Sequence, residues 1–317
     1  MNIIQTNNLT KTFGDTTAVD AVTINVSEGE IYGFLGLNGA GKTTTIRLLL
    51  GMIRPDSGSV SLFGQTVRQA TEIWNNVGYL VESSHSYPEL TVYENLELIC
   101  RLRGLNDKRL INQVIERLKL GQYKNKMAKH LSKGNNQRLG LAKALMHHPK
   151  LLILDEPING LDPAGIVEVR KFLKFLVTEK NTTIFLSSHI LSEISRLATR
   201  IGIIHMGKLV KEINAHELEE QIIKKLQVNT IDNQKALQLM NNKGFAFSVS
   251  GDSFIETTDE NAIRQPETIA TLLVNAQVPP KSLHVYEEDL ESYFLRMIGN
   301  KPENDETAIT GVYRGST

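Results

Sequence analysis

One short segment limits the fold of this chain more than any other. Residues 36 to 43 read Gly-Leu-Asn-Gly-Ala-Gly-Lys-Thr, which fits the pattern G-x-x-x-x-G-K-[ST] without a mismatch. Glycines let the backbone curl so that successive N–H groups point inward at an anion. An apolar run from Ile31 to Leu35 precedes the loop, and Thr44 to Leu50 reads as a helix whose N-terminus faces the same anion. Glycine-rich turns are common, but these flanking elements favour a phosphate-binding loop over an ordinary turn.

The residues of this loop have separate expected tasks. Lys42 supplies a positive charge to the outer phosphates of a nucleotide, and the Thr43 hydroxyl is a ligand for magnesium. The other candidate contacts belong to the same loop and the first helical turn: Gly36, Leu37, Asn38, Gly39, Ala40, Gly41 and Thr44.

Composition narrows the class of protein. The 317 residues suffice for two domains, and 41% hydrophobic with 22% charged residues is typical of a soluble globular protein. Lys plus Arg and Asp plus Glu are both 35, so the balance gives no support for nucleic-acid binding. The longest apolar runs are too short to cross a bilayer. If the protein works at a membrane, we expect other chains to do the crossing.

The first 220 residues are predicted to form an α/β domain. Short apolar runs that read as strands alternate with helical patterns, the clearest strands being Val22 to Val26, Ile31 to Leu35, Leu151 to Leu154 and Thr183 to Ser187. Two helices are predicted over Val92 to Arg103 and Asp107 to Leu120, with Asp107 as the N-cap of the second. A helical insert, about residues 91 to 147, therefore interrupts the α/β core.

Residues 221 to 300 are predicted to form a small α+β module after a charged connecting helix, Glu217 to Lys225. Its strands are expected at Leu226 to Thr230, Phe245 to Val249, Phe254 to Thr257 and Ser282 to Val285. Its helices are expected at Asn233 to Asn242, Glu267 to Ala276 and Asp289 to Ile298. Residues 301–317 are polar and are expected to form a disordered tail. The position of the module alone suggests a dimerisation or regulatory role.

Two adjacent carboxylates end the apolar strand Leu151 to Leu154. Such a strand can deliver Asp155 to the magnesium that bridges the phosphates, while Glu156 can hold a water for attack on the terminal phosphate. An isolated Asp-Glu pair at a strand end is as often a helix cap or a solvated turn. Pro157 and the sequence Asn159 to Pro163 that follow favour the catalytic interpretation.

Residues 1 to 220 resemble the nucleotide-binding subunit of an ABC transporter. Leu131 to Asn135, followed by Gln137-Arg138, is similar to the family signature LSGGQ-x-x-R, and it opens a predicted helix. The resemblance implies that Ser132 and Gly134 contact ATP held by the other subunit. It further implies that His189, after the strand Thr183 to Ser187, contacts the terminal phosphate, and that Phe13 stacks on adenine. A lone histidine at a strand end is more often structural, and ordinary core packing is the alternative for Phe13.

The resemblance also implies an assembly. Two subunits, a homodimer or a pseudo-dimer, would hold two ATP molecules with Mg²⁺ between them, and Asn159 to Asp162 would couple the two sites. The fold implied is a P-loop ABC-type nucleotide-binding domain with a helical subdomain. Separate transmembrane permease subunits would hold the protein peripherally at the cytoplasmic face of the membrane, with no nucleic-acid partner.

Two departures from the family pattern narrow the resemblance. Glu82 stands where the family usually has glutamine, and the signature has Lys133 for glycine and Asn135 for glutamine. The Glu82 carboxylate is expected to reach magnesium or the attacking water. This combination resembles bacterial exporters of bacitracin and lantibiotics, which implies antibiotic resistance or self-immunity. The alternatives are a neutral Glu82 in a transporter of another cargo, a non-transport ABC protein acting on ribosomes or DNA, and a nucleotide sensor without turnover.

Overall fold

The chain divides into two compact units, residues 1–216 and the residues from 217 onward. The computed structural model describes residues 1–68, 71–82, 86–105, 107–251 and 254–299. The predicted tail, residues 301–317, lies outside the described residues.

The first unit contains eleven described strands and six described α-helices. The strands are β1 (Asn2–Phe13), β2 (Thr16–Val22), β3 (Asn25–Ser27), β4 (Ile31–Leu35), β5 (Ser57–Leu62), β6 (Gln65–Thr66), β7 (Val77–Leu80), β8 (Leu151–Leu154), β9 (Thr183–Ser188), β10 (Arg200–His205) and β11 (Lys208–Asn214). The helices are α1 (Lys42–Leu49), α2 (Val92–Leu102), α3 (Arg109–Arg117), α4 (Lys133–Leu145), α5 (Pro163–Lys180) and α6 (Leu191–Ser195).

A mixed sheet forms the centre of this unit, with the strand order β11-β10-β4-β9-β8-β7. All neighbouring pairs are parallel except β10 with β11. Every residue of β4, β8 and β9 is buried, which agrees with the continuous apolar runs expected for strands covered on both faces. A second, antiparallel sheet has the order β2-β1-β5-β6, and β3 also pairs with β1.

The helical insert predicted over residues 91–147 contains α2, α3 and α4. Thr91 and Glu94 form a capping box that begins α2, and Gly104, with φ of 65°, follows its end. The prediction for α3 was too long at both ends. Lys108 is its N-cap, the Asp107 carboxylate accepts a hydrogen bond from the Arg109 N–H instead, and Lys119 takes a φ of 54° soon after the helix ends.

The strand predicted from Val22 to Val26 was wrong. The chain breaks there into the end of β2 and the short β3, because a side chain takes over the hydrogen bonds between them. The Thr6 hydroxyl donates to the Val22 carbonyl at 3.0 Å and accepts from the Ile24 N–H at 2.8 Å. Local sequence carried no sign of this contact across 16 and 18 residues.

The second unit is an α+β module. Its described elements are α7 (Leu218–Gln221), β12 (Lys224–Thr230), α8 (Asn233–Asn242), β13 (Ser248–Ser250), β14 (Phe254–Thr257), α9 (Glu260–Arg264), α10 (Pro266–Asn275), β15 (Pro280–Glu287) and α11 (Leu290–Met297). The strands form an antiparallel sheet with the order β13-β14-β12-β15. This is the order of a split βαβ fold, and residues of α8 and α10 pack with the sheet in one apolar core.

Two predictions for this module were wrong in detail, and one element was missed. The charged connector contains only the four-residue α7, because β12 already begins at Lys224. The second strand begins at Ser248 rather than Phe245, because the N–H groups of Phe245 and Phe247 bond back to Met240 and Asn241 at the end of α8. The short α9, capped by the Asp259 carboxylate, was missed.

Candidate active site

Three neighbouring strand ends bring the predicted site together. In the central sheet, Leu35 of β4 lies opposite Ser188 of β9, and Leu186 of β9 lies opposite Leu154 of β8. The Gly36 N–H donates to the Ser188 carbonyl at 3.2 Å, so the loop begins directly beside β9. The glycine loop, the two carboxylates and His189 therefore leave the sheet at the same edge.

The loop needs its glycines for two different reasons. Gly41 has a φ of 109°, and a Cβ there would lie 2.3 Å from the Ala18 carbonyl oxygen. A Cβ on Gly36 would lie 2.6 Å from the Ile204 carbonyl oxygen. Gly39 has a φ of 79° and nothing within 4 Å of a Cβ position, so its side of the loop is open. Close packing behind the loop and open space in front of it suit a backbone cradle for an anion.

The other residues of the loop also divide into exposed and buried positions. Leu37 and Asn38 are exposed at its tip, and Ala40 is buried beneath it. Thr44 is half-buried in the first turn of α1, which begins at Lys42 rather than at the predicted Thr44.

The Lys42 side chain is held inside the loop. Its ammonium group donates to the carbonyl oxygens of Gly36 at 2.7 Å and Leu37 at 3.1 Å. It also lies 3.5 Å from Glu156 Oε1, and its side chain is only 7% exposed. The positive charge is thus fixed between the loop and the catalytic carboxylate candidate, where a phosphate can replace the carbonyl contacts.

Both oxygens of the buried Asp155 carboxylate accept hydrogen bonds. Thr43 Oγ1 donates to Oδ2 at 2.8 Å, and Ser187 Oγ donates to Oδ1 at 2.5 Å. Ser187 also accepts the Glu156 N–H at 3.0 Å, so one hydroxyl orients both carboxylate residues. Motif reasoning missed Ser187, although a hydroxyl residue at the end of an apolar strand that neighbours β8 is a signal for it.

Glu156 connects the remaining candidates. Its Oε2 lies 2.8 Å from His189 Nδ1, and its backbone oxygen accepts from Gln137 Nε2 at 3.0 Å. The residue has a φ of 49°, an uncommon conformation for a residue with a side chain. The surrounding contacts to Lys42, His189 and Gln137 hold this conformation in place. Gln137 belongs to the signature, but the sequence alone does not predict its contact with Glu156.

The signature residues lie at the start of α4. Ser132 is the N-cap, and its hydroxyl accepts the Asn135 N–H at 3.2 Å. A Cβ on Gly134 would lie 3.0 Å from the Gly160 carbonyl oxygen, so the helix start packs closely on the loop Asn159 to Asp162. Among the residues that the structure describes, no hydrogen bond joins Ser132 or Gly134 to the glycine loop of the same chain.

Two predicted residues are not brought into this cluster. Glu82 has a φ of 57° and forms an ion pair with Arg47 of α1 rather than contacting Thr43 or Asp155. Phe13, at the end of β1, is 51% exposed and has the Lys11 ammonium 5.4 Å from its ring centroid. Neither residue is packed in a core, and their assigned tasks stay predictions.

Comparisons with known proteins identify the family of this chain. A family model described as "ABC transporter" matches residues 19–159. The bacitracin transport ATP-binding protein BcrA of Bacillus licheniformis is 43% identical, over 94% of this chain and 97% of that protein. The chain belongs to the family of ABC transporter ATP-binding proteins. As a member of this family, it is an ATPase. The predicted fold class is also confirmed: an ABC-type nucleotide-binding domain followed by a small α+β module.

Further relatives extend the match. BcrA of Enterococcus faecalis is 40% identical over 94% of this chain and 96% of its own length. The lantibiotic transport ATP-binding protein SrtF of Streptococcus pyogenes is 36% identical over 69% of this chain and 95% of its own length. A solved ATP-binding subunit of an ABC transporter is 28% identical, with a TM-score of 0.63 over 69% of this chain and 92% of that one.

The ABC ATPase also has a large groove beside Glu82, in the first unit. Its volume is about 1380 Å³, and its lining includes Arg47, Arg54, Arg68, Arg103 and Lys143. Burial lowers the pKa of the Lys143 ammonium to about 8. Among the described helices of this ABC ATPase, none is long and apolar enough to span a bilayer.

The residues of the site fit a magnesium ion. The Thr43 hydroxyl and the Asp155 carboxylate lie side by side, and both are oxygen donors of the kind that Mg²⁺ prefers. Within the described ranges, no group of three or more His, Cys, Asp or Glu side chains could hold a metal. One carboxylate with one hydroxyl suits Mg²⁺, because this ion completes its shell with phosphate oxygens and water.

Proposed function

We propose that this ATPase hydrolyses Mg²⁺-bound ATP between two copies of the chain and thereby powers the export of a peptide antibiotic. The observation that carries the proposal is a contact network centred on Glu156. Lys42, His189 and Ser187 all contact Glu156, and Ser187 also donates a hydrogen bond to Asp155. A charged network of this kind at the mouth of a phosphate loop is arranged for phosphoryl transfer to water.

The residues of this network have distinct proposed tasks. Lys42 and the loop N–H groups bind the phosphates, and Phe13 offers an exposed ring for the adenine. Glu156 orients the attacking water and accepts its proton, while His189 fixes the Glu156 carboxylate and faces the terminal phosphate. Thr43 and Asp155 would hold the magnesium ion, which neutralises phosphate charge when it is bound.

The second copy is proposed to complete each site. Ser132 and Gly134 lie at an exposed helix N-terminus, where N–H groups favour an anion. Within the part of the chain that the structure describes, neither forms a hydrogen bond to the glycine loop of its own chain. A solved dimeric bacterial ABC transporter cassette, 25% identical with a TM-score of 0.62, supports a paired arrangement. Because each ATP would contact both copies, ATP binding would favour the dimer by mass action.

Cargo, location and permease are proposed from the relatives. The names of BcrA and SrtF assign bacitracin and lantibiotic transport to those proteins. We extend this chemistry to the present chain and place it at the cytoplasmic face of the membrane, bound to separate permease subunits. The basic groove beside Glu82 suits an acidic permease segment, and Glu82 would pass changes at the nucleotide to that segment.

The decisive experiment compares ATP binding, dimer formation and phosphate release in the purified chain. Glu156→Gln keeps the shape of the side chain but removes the base, so we expect retained ATP, a stable dimer and turnover slower by roughly a hundredfold. Glu179→Gln, an exposed position on α5, is the matched control. Near-normal turnover of Glu156→Gln would remove this residue from its role.

The cargo is tested in cells that carry the chain with its permease. We expect raised tolerance to bacitracin or a lantibiotic, which Glu82→Gln reduces more than it reduces phosphate release by the purified chain. Unchanged tolerance with intact ATP turnover would contradict the cargo, and equal behaviour of Glu82→Gln in both assays would contradict the special role of Glu82.

A further inference from the structure

The last strand of the second unit is an exposed sheet edge. β15 pairs with β12 on one side, and among the described residues no strand pairs with its other side. Of its eight residues, two are half-buried and six are exposed. A long exposed edge presents unpaired N–H and C=O groups that readily accept another strand.

The residue order of β15 is complementary to itself. If two copies run antiparallel about a centre at His284, Lys281 of one lies opposite Glu287 of the other, and Leu283 lies opposite Val285. Opposite charges meet at both ends of the ladder, and apolar side chains meet on either side of the centre. Such cross-strand pairs are the units that stabilise an antiparallel sheet.

Neighbouring centres lose this complementarity. The centre of the antiparallel pair can move only by whole residues. A half-residue move would place the apolar faces of the two strands on opposite sides of the joined sheet. With the centre at Leu283, Lys281 would face Val285. With the centre at Val285, Glu287 would face Leu283. His284 is therefore the centre that pairs both charges.

The faces of the strand agree with this register. Leu283 and Val285 lie opposite Val228 and Leu226 of β12, which are fully buried in the apolar core of the module. Leu283 packs against that core, but Val285 is 38% exposed at its margin. A second β15 would cover Val285 with its own Leu283, so the two cores would become continuous.

We propose that two copies of this chain pair through β15, antiparallel and centred on His284, so that two four-stranded sheets join into one of eight strands. The occupant of the edge is a second copy, because Lys281 and Glu287 lie at equal distances on either side of His284 and therefore complement the same two charges of an antiparallel copy. The proposal rests on the proposed dimer of ATPase units, which raises the effective concentration of one β15 near the other.

Disulfide formation in the full chain tests the register. Cys100 is replaced by Ala, and His284→Cys is added, so that like residues face each other at the centre with Cβ atoms roughly 5 Å apart. We expect His284→Cys to form a disulfide dimer at least about tenfold faster than Ser282→Cys, whose own counterpart lies roughly 13 Å away. Ser282→Cys mixed with Tyr286→Cys should cross-link, because these positions face each other. Equal rates for His284→Cys and Ser282→Cys, or no dimer from either, would overturn the proposal.

Charge reversal tests the ion pairs independently. In the His284→Cys background, Lys281→Glu and Glu287→Lys should each slow cross-linking, and the double reversal should restore it. Lys224→Ala is the control, because Lys224 pairs with Glu287 inside the same module. An equal effect of Lys224→Ala, or no restoration in the double variant, would contradict pairing through these charges.

Phosphate release from the same samples separates the two proposals. Intact turnover without the His284→Cys cross-link would overturn β15 pairing alone. Cross-linking in the expected register without ATP turnover would support β15 pairing and contradict the proposed catalytic function.

Discussion

The charged side chains of the candidate active site and the ion pairs across the sheet of the second unit differ in burial. In the first unit, Lys42 and Asp155 are almost completely buried near the carboxyl ends of the parallel strands of the central sheet, and both bond to other members of one cluster. In the second unit, the ion pairs Lys225–Glu256 and Lys224–Glu287 remain partly or largely exposed on an antiparallel sheet.

This difference in burial separates the charged groups of the candidate active site from charged groups that stay in contact with water. Burying charge costs free energy, and the loss is offset only where the group is fully bonded. Lys42 and Asp155 therefore depend on their hydrogen-bond partners, whereas the partly exposed pairs of the second unit remain solvated. Matched substitutions in the two units test whether this difference in burial corresponds to a difference in function.

The largest effect is expected for Lys42→Ala. The buried Lys42 ammonium lies 3.5 Å from Glu156 Oε1, and loss of its charge-assisted hydrogen bonds to phosphate should weaken ATP binding about 100-fold or more. Equilibrium binding of a fluorescent ATP analogue measures the change. Lys174→Ala, an exposed lysine of α5, should bind like the parent. Unchanged affinity in Lys42→Ala would contradict the phosphate contact.

A smaller effect is expected for Ser187→Ala. This change leaves one Asp155 oxygen and the Glu156 N–H without their partner, so we expect about 1–3 kcal/mol less stability and roughly tenfold slower turnover. Thr257→Val is the matched change in the second unit, where the buried Thr257 hydroxyl donates to the Ala246 carbonyl at 2.7 Å.

Thr257→Val should lower the free energy of unfolding without slowing phosphate release. The comparison between the units fails if the two variants affect turnover equally, because buried hydroxyls would then act alike in both sheets.

The next prediction concerns the loss of folding stability at low pH, to which His147 of the first unit is expected to contribute. Burial, together with the nearby Arg103 charge, lowers the pKa of this imidazole to about 4, and Nε2 lies 3.0 Å from the Val77 carbonyl oxygen. An unfolded histidine binds its proton near pH 6.5. Between these values the unfolded chain binds more protons, so folding stability from this group is complete above about pH 6.5 and falls as the pH drops toward 4.

His147→Gln can keep a donor to Val77 but cannot take up a proton. We expect its urea unfolding midpoint to change less between pH 7 and pH 5 than that of the parent. Parallel curves for the two proteins would show that His147 contributes nothing to the acid response.

Contiguous sequence patterns made the candidate site's position at the carboxyl ends of the central strands predictable. The loop at residues 36–43 and the strand that delivers Asp155 are each local in sequence, and a buried parallel strand leaves few alternatives for where its last residue points. β4 and β8 were predicted with their observed bounds for the same reason.

The missed features depend on distant contacts. Ser187 meets Asp155 across 32 residues, and Arg47 meets Glu82 across 35, so no local pattern encodes either pair. The break between β2 and β3 likewise depends on Thr6, which lies on another strand. Tertiary hydrogen bonds therefore account for the largest differences between the prediction and the structure.

The smallest effect is expected for Lys225→Met in the second unit. The Lys225 ammonium lies 2.6 Å from Glu256 Oε1, with side chains 31% and 15% exposed. Methionine keeps the apolar stem, and Glu256 retains its hydrogen bond from Gln227 at 3.2 Å. We therefore expect a stability loss below about 1 kcal/mol and unchanged phosphate release. Chemical denaturation and the turnover assay check both, and a turnover loss comparable to that of Ser187→Ala would show that charges of the second unit also serve catalysis.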